Sequence, residues 1–129
     1  MPIRQPLLPS IMISTDDERR LSLLAKASMT QFPRVAHFLE HEIHRATIVP
    51  EPKGVVRMGS QVVYRDETTG RIREVTLVYP HEADINLKRI SVLTPVGAAL
   101  IGMGEGQSIE FQTPVREKRS LTVLAVRPD

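Results

Sequence analysis

The chain has 129 residues, 41% of them apolar and 25% charged, enough for one folded domain with a helical appendage and no covalent staple. It contains no cysteine, which excludes a disulfide framework, a thiolate zinc site and a cysteine nucleophile. The formal net charge of +2, with acids and bases interspersed, is too mild to argue for nucleic acid by itself.

The first nine residues hold three prolines and predict an extended arm. This start lacks the apolar core of a signal peptide, and no apolar run approaches the ~20 residues that span a bilayer. The expected location is therefore the cytoplasm. Ile11-Met12-Ile13 is a short apolar lead-in expected to pack on the body.

Ser14-Thr15-Asp16-Asp17-Glu18 carries a helix-start signature: a hydroxyl three residues ahead of an acid satisfies orphan backbone N–H groups. A first helix is predicted to about Ser28, with Leu21, Leu24, Ala25 and Ser28 on one stripe. Pro33 suits the first turn of a second helix, with Val35, Phe38, Leu39, Ile43 and Ala46 on one face and an end before Pro50. The pair reads as a short antiparallel, coiled-coil-like helical hairpin, each arm of ~13 residues and ~20 Å at 1.5 Å per residue.

Pro50–Gly54 reads as a linker, which divides the chain into residues 1–49 and 55–129. Strands are predicted over Gln61–Asp66, Ile72–Tyr79, Lys88–Leu93, Ser108–Thr113 and Ser120–Arg127, with a short helix from Pro95 to Gly102. The expected fold class is α+β: a helical hairpin followed by an antiparallel sheet packed on one short helix.

Three blocks resemble the C-terminal domain of the Gre transcript-cleavage factors. They are Gly59-Ser60-x-Val62, Asp66-x-x-x-Gly70, and Ile90-Ser91-Val92-x-Thr94-Pro95-x-Gly97-x-Ala99-Leu100-Ile101-Gly102. Glu105-Gly106-x-x-Ile109 and the alternation from Leu121 to Val126 extend the resemblance over about residues 55–127. Leu77-Val78-Tyr79-Pro80, Pro95-Val96-Gly97-Ala98-Ala99-Leu100 and the short hairpin resemble the Rnk-type branch, the regulators of nucleoside diphosphate kinase.

The resemblance implies an FKBP-like α+β barrel over residues 55–127 and RNA polymerase, at the rim of its secondary channel, as the partner. It implies Leu93, Thr94, Pro95 and Asp84 as partner-binding residues, and no catalytic residue, metal or cofactor. Gre factors place acidic residues at the tip of a long coiled coil to recruit a catalytic metal, a hard cation that prefers oxygen ligands. Here the tip, Ser28-Met29-Thr30-Gln31-Phe32-Pro33, has no Asp or Glu, and the hairpin is short. The expectation is a non-catalytic regulator that competes with longer factors. Leu93 occupies a position often polar or acidic in Gre factors. It either offers ~1.5–3 kcal/mol of apolar burial to a partner or ends its strand in the core. An adaptor acting on nucleoside diphosphate kinase or another protein is the alternative function.

Other constellations have plainer readings. His37, His41 and His44 share a helical face at metal-compatible spacing, but they point away from the apolar stripe and read as a solvated face. Asp16, Asp17 and Glu18 read as capping acids, and His81, Glu82 and Asp84 as a solvated loop. Arg57, Arg65, Arg71, Arg73, Arg116, Lys118, Arg119 and Arg127 could form a basic patch. Without stacking aromatics they read as a mixed surface, with direct nucleic-acid contact left open. A prolyl isomerase needs an aromatic-lined pocket, for which three Phe, two Tyr and no Trp are poor material.

Overall fold

A computed structural model describes residues 8–127 apart from Pro114 and Arg116. Of the extended arm expected over residues 1–9, the first seven lie outside the described residues. The chain starts with β1 (Met12–Ser14), α1 (Thr15–Ser28), α2 (Pro33–Arg45) and β2 (Thr47–Val49). It continues as β3 (Gln61–Asp66), β4 (Ile72–Val78), β5 (Arg89–Ser91), α3 (Pro95–Leu100), β6 (Ser108–Gln112) and β7 (Lys118–Arg127).

The start of α1 forms as its sequence predicts. Ser14 Oγ accepts a hydrogen bond from the Asp17 amide at 3.0 Å, and three acids occupy the first turn. Leu21, Ala25 and Ser28 are buried, whereas Leu23, off the stripe, is 65% exposed. In α2 the buried residues are Ala36, Leu39, Glu42 and Ile43.

The five-stranded sheet has the order β5-β4-β3-β7-β6. Three of its four pairings are antiparallel; β4 and β5 run parallel, with Thr76 opposite Arg89 and Val78 opposite Ser91. The all-antiparallel sheet expected from the sequence is corrected here. Residues 79–88 form two 3₁₀ turns that carry the chain back to the start of β4's neighbour, where a tight hairpin would reverse its direction. The third strand is also shorter than expected, because Lys88 adopts a left-handed conformation (φ 56°) just before it. The α+β class itself stands.

A second, two-stranded sheet joins β1 and β2 in parallel, with Ile13 opposite Ile48. β1 is the seam between the helices and the large sheet. On one side the Thr47 amide donates to the Ile11 carbonyl at 3.0 Å; on the other the Met12 amide donates to the Gly102 carbonyl at 3.2 Å. Ile11 and Ile13 are each 2% exposed and belong to one apolar cluster with Leu21, Leu39, Leu77 and Leu121. Gly102 has φ +80°, and a Cβ there would stand 3.0 Å from both Ile11 Cβ and the Met12 carbonyl oxygen, so the close approach requires glycine. Asp17 adds a side-chain tie, accepting from the Met58 amide at 3.1 Å.

One buried charge completes the seam. Glu42 is 1% exposed, and its carboxylate takes both Arg45 Nε (2.6 Å) and Nη2 (2.9 Å). Arg45 Nη1 then donates to the Pro9 carbonyl. A planar guanidinium satisfies two carboxylate oxygens and one main-chain carbonyl at once, which Lys cannot do. We expect Glu42→Gln to cost about 1–3 kcal/mol in chemical denaturation, because the Arg45 charge keeps its burial and loses its counter-ion. An unchanged unfolding midpoint would show that the clamp contributes nothing to stability.

Candidate docking site

The turn from β5 into α3 is built by side chains bonding to main chain. Ser91 Oγ accepts from the Leu93 amide at 2.9 Å, and the Ser91 carbonyl accepts from the Thr94 hydroxyl at 2.7 Å. Thr94 Oγ1 accepts from the Gly97 amide at 3.0 Å and so caps α3. Pro95 opens the helix, where its missing N–H leaves no bond unmade. A Cβ on Gly97 would fall 2.1 Å from the Ser91 carbonyl oxygen. The Ser-x-x-Thr-Pro-x-Gly spacing is therefore one interlocked unit, with each named residue answering a specific contact.

The preceding loop is equally defined. Asp84 Oδ1 accepts from the Asn86 amide at 3.0 Å, and Asp84 and Arg89 exchange two main-chain hydrogen bonds of 3.0 and 2.9 Å. Tyr79 stacks on His81 with ring centroids 6.4 Å apart. These contacts hold Ile85 outward at 88% exposure and Leu87 at 57%. An apolar side chain presented this fully on an ordered turn costs solubility and suits a contact surface.

Between this loop, the start of α3 and the end of β6 lies an open groove of about 700 Å³. Asp84, Ile85, Thr94, Pro95 and Val115 line it, over the buried rings of Tyr64 and Phe111. Burial raises the Tyr64 phenol above its ordinary range, with Arg73 pulling the other way. The polar rim is mixed: Arg119 pairs with Asp66 at 3.1 Å and with Glu117 at 3.7 Å.

Of the four residues expected to bind a partner, Asp84, Thr94 and Pro95 come together around this groove. Leu93 does not line it; it is half-buried and packs against the core. Ile85, Val115 and Phe111 were missed. An isoleucine and a leucine flanking Asn86 inside a charged loop were the available signal for Ile85.

The remaining candidates settle simply. His37, His41 and His44 are exposed on α2. His37-Phe38-Leu39-Glu40-His41 also has the order of an inverted zinc motif. Among the described residues no three His, Asp or Glu side chains come together at metal-binding spacing. Ser60 is buried and accepts from the Arg57 amide at 2.9 Å, a turn contact. Within the basic set, Arg65 pairs with Glu67 and Arg119 with Asp66, whereas Arg116 lies outside the described residues.

This arrangement of hairpin, curled sheet and capped α3 turn is that of the Gre-type transcription factors. The family described as transcription elongation factor, GreA/GreB, C-term matches residues 51–128, and the Rnk N-terminus family matches residues 9–49. The chain belongs to the GreA/GreB family, in the branch with an Rnk-type N-terminus. It is 36% identical over 119 residues to the regulator of nucleoside diphosphate kinase of Escherichia coli K12, covering 90% of this chain and 88% of that one. It is 33% identical to the transcription inhibitor protein Gfh1 of Thermus aquaticus, over 93% of this chain and 78% of that one. Among solved structures, a prokaryotic transcription elongation factor GreA/GreB from Nitrosomonas europaea superposes with a TM-score of 0.70 at 35% identity, over 92% of this chain and 99% of that one.

The interlocked turn yields a graded prediction. Thr94→Ala should cost about 1 kcal/mol of stability by losing the cap, and Thr94→Ser only a few tenths. Gly97→Ala should cost about 3 kcal/mol or more, because the new methyl meets main chain that is already bonded. Urea denaturation of the three variants checks the order.

Proposed function

We propose that this protein is a non-catalytic transcription regulator of the cytoplasm that docks on RNA polymerase at the rim of the secondary channel. In this reading residues 55–129 dock, and residues 1–49 form the hairpin, with 50–54 as the joint. The groove beside Asp84, Thr94 and Pro95 supplies the contact, with Leu93 acting from behind by fixing the turn.

The observation that carries the docking half is the α3 turn of a Gre-family chain standing at the edge of an open apolar groove. A rigid turn loses little conformational entropy on binding, which favours it as a docking element. The hairpin carries the second half. Its helices have 14 and 13 residues, so each is ~20 Å long at 1.5 Å per residue. The tip from Ser28 to Pro33 presents hydroxyl, amide and apolar groups, with Phe32 46% exposed, and offers no carboxylate to a hard cation. Transcript hydrolysis with a recruited metal needs both the reach and the ligands. The names of the relatives, a regulator and a transcription inhibitor, agree with regulation without cleavage.

The test is binding of the purified protein to core RNA polymerase, with a cleavage-competent Gre factor as competitor, and a transcript-cleavage assay on stalled complexes. Competed binding without stimulated cleavage is the expected outcome. Stimulated cleavage would overturn the non-catalytic reading. No binding at micromolar concentration would overturn the polymerase reading and favour a direct effect on nucleoside diphosphate kinase or another protein.

A further inference from the structure

Three of the chain's four histidines stand on one exposed face of α2, outside the groove at the α3 turn. His37 and His41 are four residues apart in the helix, which puts their Cβ atoms about 6 Å apart, one turn above the other. Imidazoles at that spacing reach one metal ion between them, as in helical zinc sites with two histidines four residues apart. Both residues are exposed, and 64% of the His41 side chain is open to solvent.

His41 is oriented for such an ion from behind. Its Nδ1 stands 3.3 Å from Oε2 of Glu42, whose side chain is 2% exposed. That carboxylate is itself fixed by Arg45, through bonds of 2.6 and 2.9 Å. A carboxylate oxygen only accepts, so in the neutral ring Nδ1 carries the hydrogen and Nε2 is left with its lone pair. An imidazole that donates one ring N–H to a carboxylate and presents its other nitrogen is the arrangement that supports metal-ligating histidines. Solvation alone places no carboxylate behind an exposed imidazole.

We propose that His37 and His41 bind a divalent transition-metal ion of the zinc, nickel or copper type, through one nitrogen of each ring. Imidazole nitrogens suit these ions, whereas a hard cation such as Mg²⁺ prefers oxygen. Among the described residues no three metal-ligating side chains come together, so the chain supplies two ligands and water completes the shell. The ion is therefore exchangeable and keeps open positions, unlike a structural zinc held by four protein ligands. A metallopeptidase, whose motif order His37 to His41 shares, needs a third protein ligand that the described residues do not place there. An ion that ties one turn of α2 to the next binds only the folded helix and stabilises it. His37 also lines the cavity that α2 shares with β6 and Pro95, so the ion sits at the edge of the proposed docking face. The site itself does not depend on the polymerase reading.

The experiment is calorimetric titration of Zn²⁺ and Ni²⁺ into the full-length chain, free of any histidine tag, with Mg²⁺ as the contrasting ion. Melting temperatures are read with and without each metal. We expect one ion per chain and a raised melting temperature with Zn²⁺ or Ni²⁺, and neither with Mg²⁺. Both ligand positions are exposed, so His37→Ala and His41→Ala should melt with the unaltered chain in metal-free buffer. Each should bind at least about tenfold more weakly, since loss of an outer-shell partner alone costs about 10–100-fold. His44→Ala and His81→Ala should bind as the unaltered chain does. No binding at submillimolar Zn²⁺ or Ni²⁺, or binding that survives in both His37→Ala and His41→Ala, would overturn the site. A loss in His44→Ala with none in His37→Ala would overturn the assignment to this pair.

Discussion

A single stretch of main chain, from Pro9 to Ser14, fixes the relation between the helices and the large sheet. Its hydrogen bonds run both ways, to Thr47 beside the helices and to Gly102 beside the sheet. Its isoleucines sink into the cluster shared by both. Glu42 and Arg45 hold the beginning of this stretch by its Pro9 carbonyl. Ser14 ends it as the cap of α1. The hairpin's aim is thus written into main-chain geometry as well as side-chain packing. Main-chain bonds in a buried seam are costly to leave unmade, so the seam resists sliding.

The same economy governs the α3 turn. Ser91, Thr94 and Gly97 satisfy one another within seven residues, which leaves the outer surface free of structural duty. Asp84 does likewise for its loop, capping Asn86 while its main chain pairs with Arg89. Rigid turns that spend their polar groups internally can present apolar side chains outward, and Ile85 is the result. Order in the loop and exposure of its apolar residue have one cause.

Much of this was legible in the sequence because it depends on local chemistry. The Ser14–Asp17 cap, the Leu21–Ala25–Ser28 stripe and the Pro95 helix start each follow from neighbours within one turn. What escaped depends on partners far along the chain. β1 and β2 have three residues each, too few for a period-2 signal, and their pairing spans the whole hairpin. The parallel β4–β5 pair was hidden because the excursion of residues 79–88 is built from 3₁₀ turns, which leave no helical periodicity to mark a crossover. Glu42, a charge inside a helix, was not singled out in the sequence. Its place one turn after Phe38 and Leu39, on the apolar stripe, was the clue that it is buried, and Arg45 three residues on was its partner. The groove residues divided along the same line. Thr94 and Pro95 are a sequence motif, whereas Phe111 and Val115 reach the groove only through the β6–β7 pairing.

The short hairpin and the seam bear on each other. A long coiled coil acts at its tip, so small errors in its angle become large displacements at the end. A hairpin of ~20 Å gains little reach. Yet this chain holds its hairpin with two main-chain seams, a buried ion pair and the Asp17–Met58 tie. The start of α2, at the tip end of the hairpin and a helix length from Arg45, lines a cavity together with β6 and Pro95. The hairpin is thereby held at both ends: at its base by the seam beside Arg45, and along its length by the packing of α2 on α3.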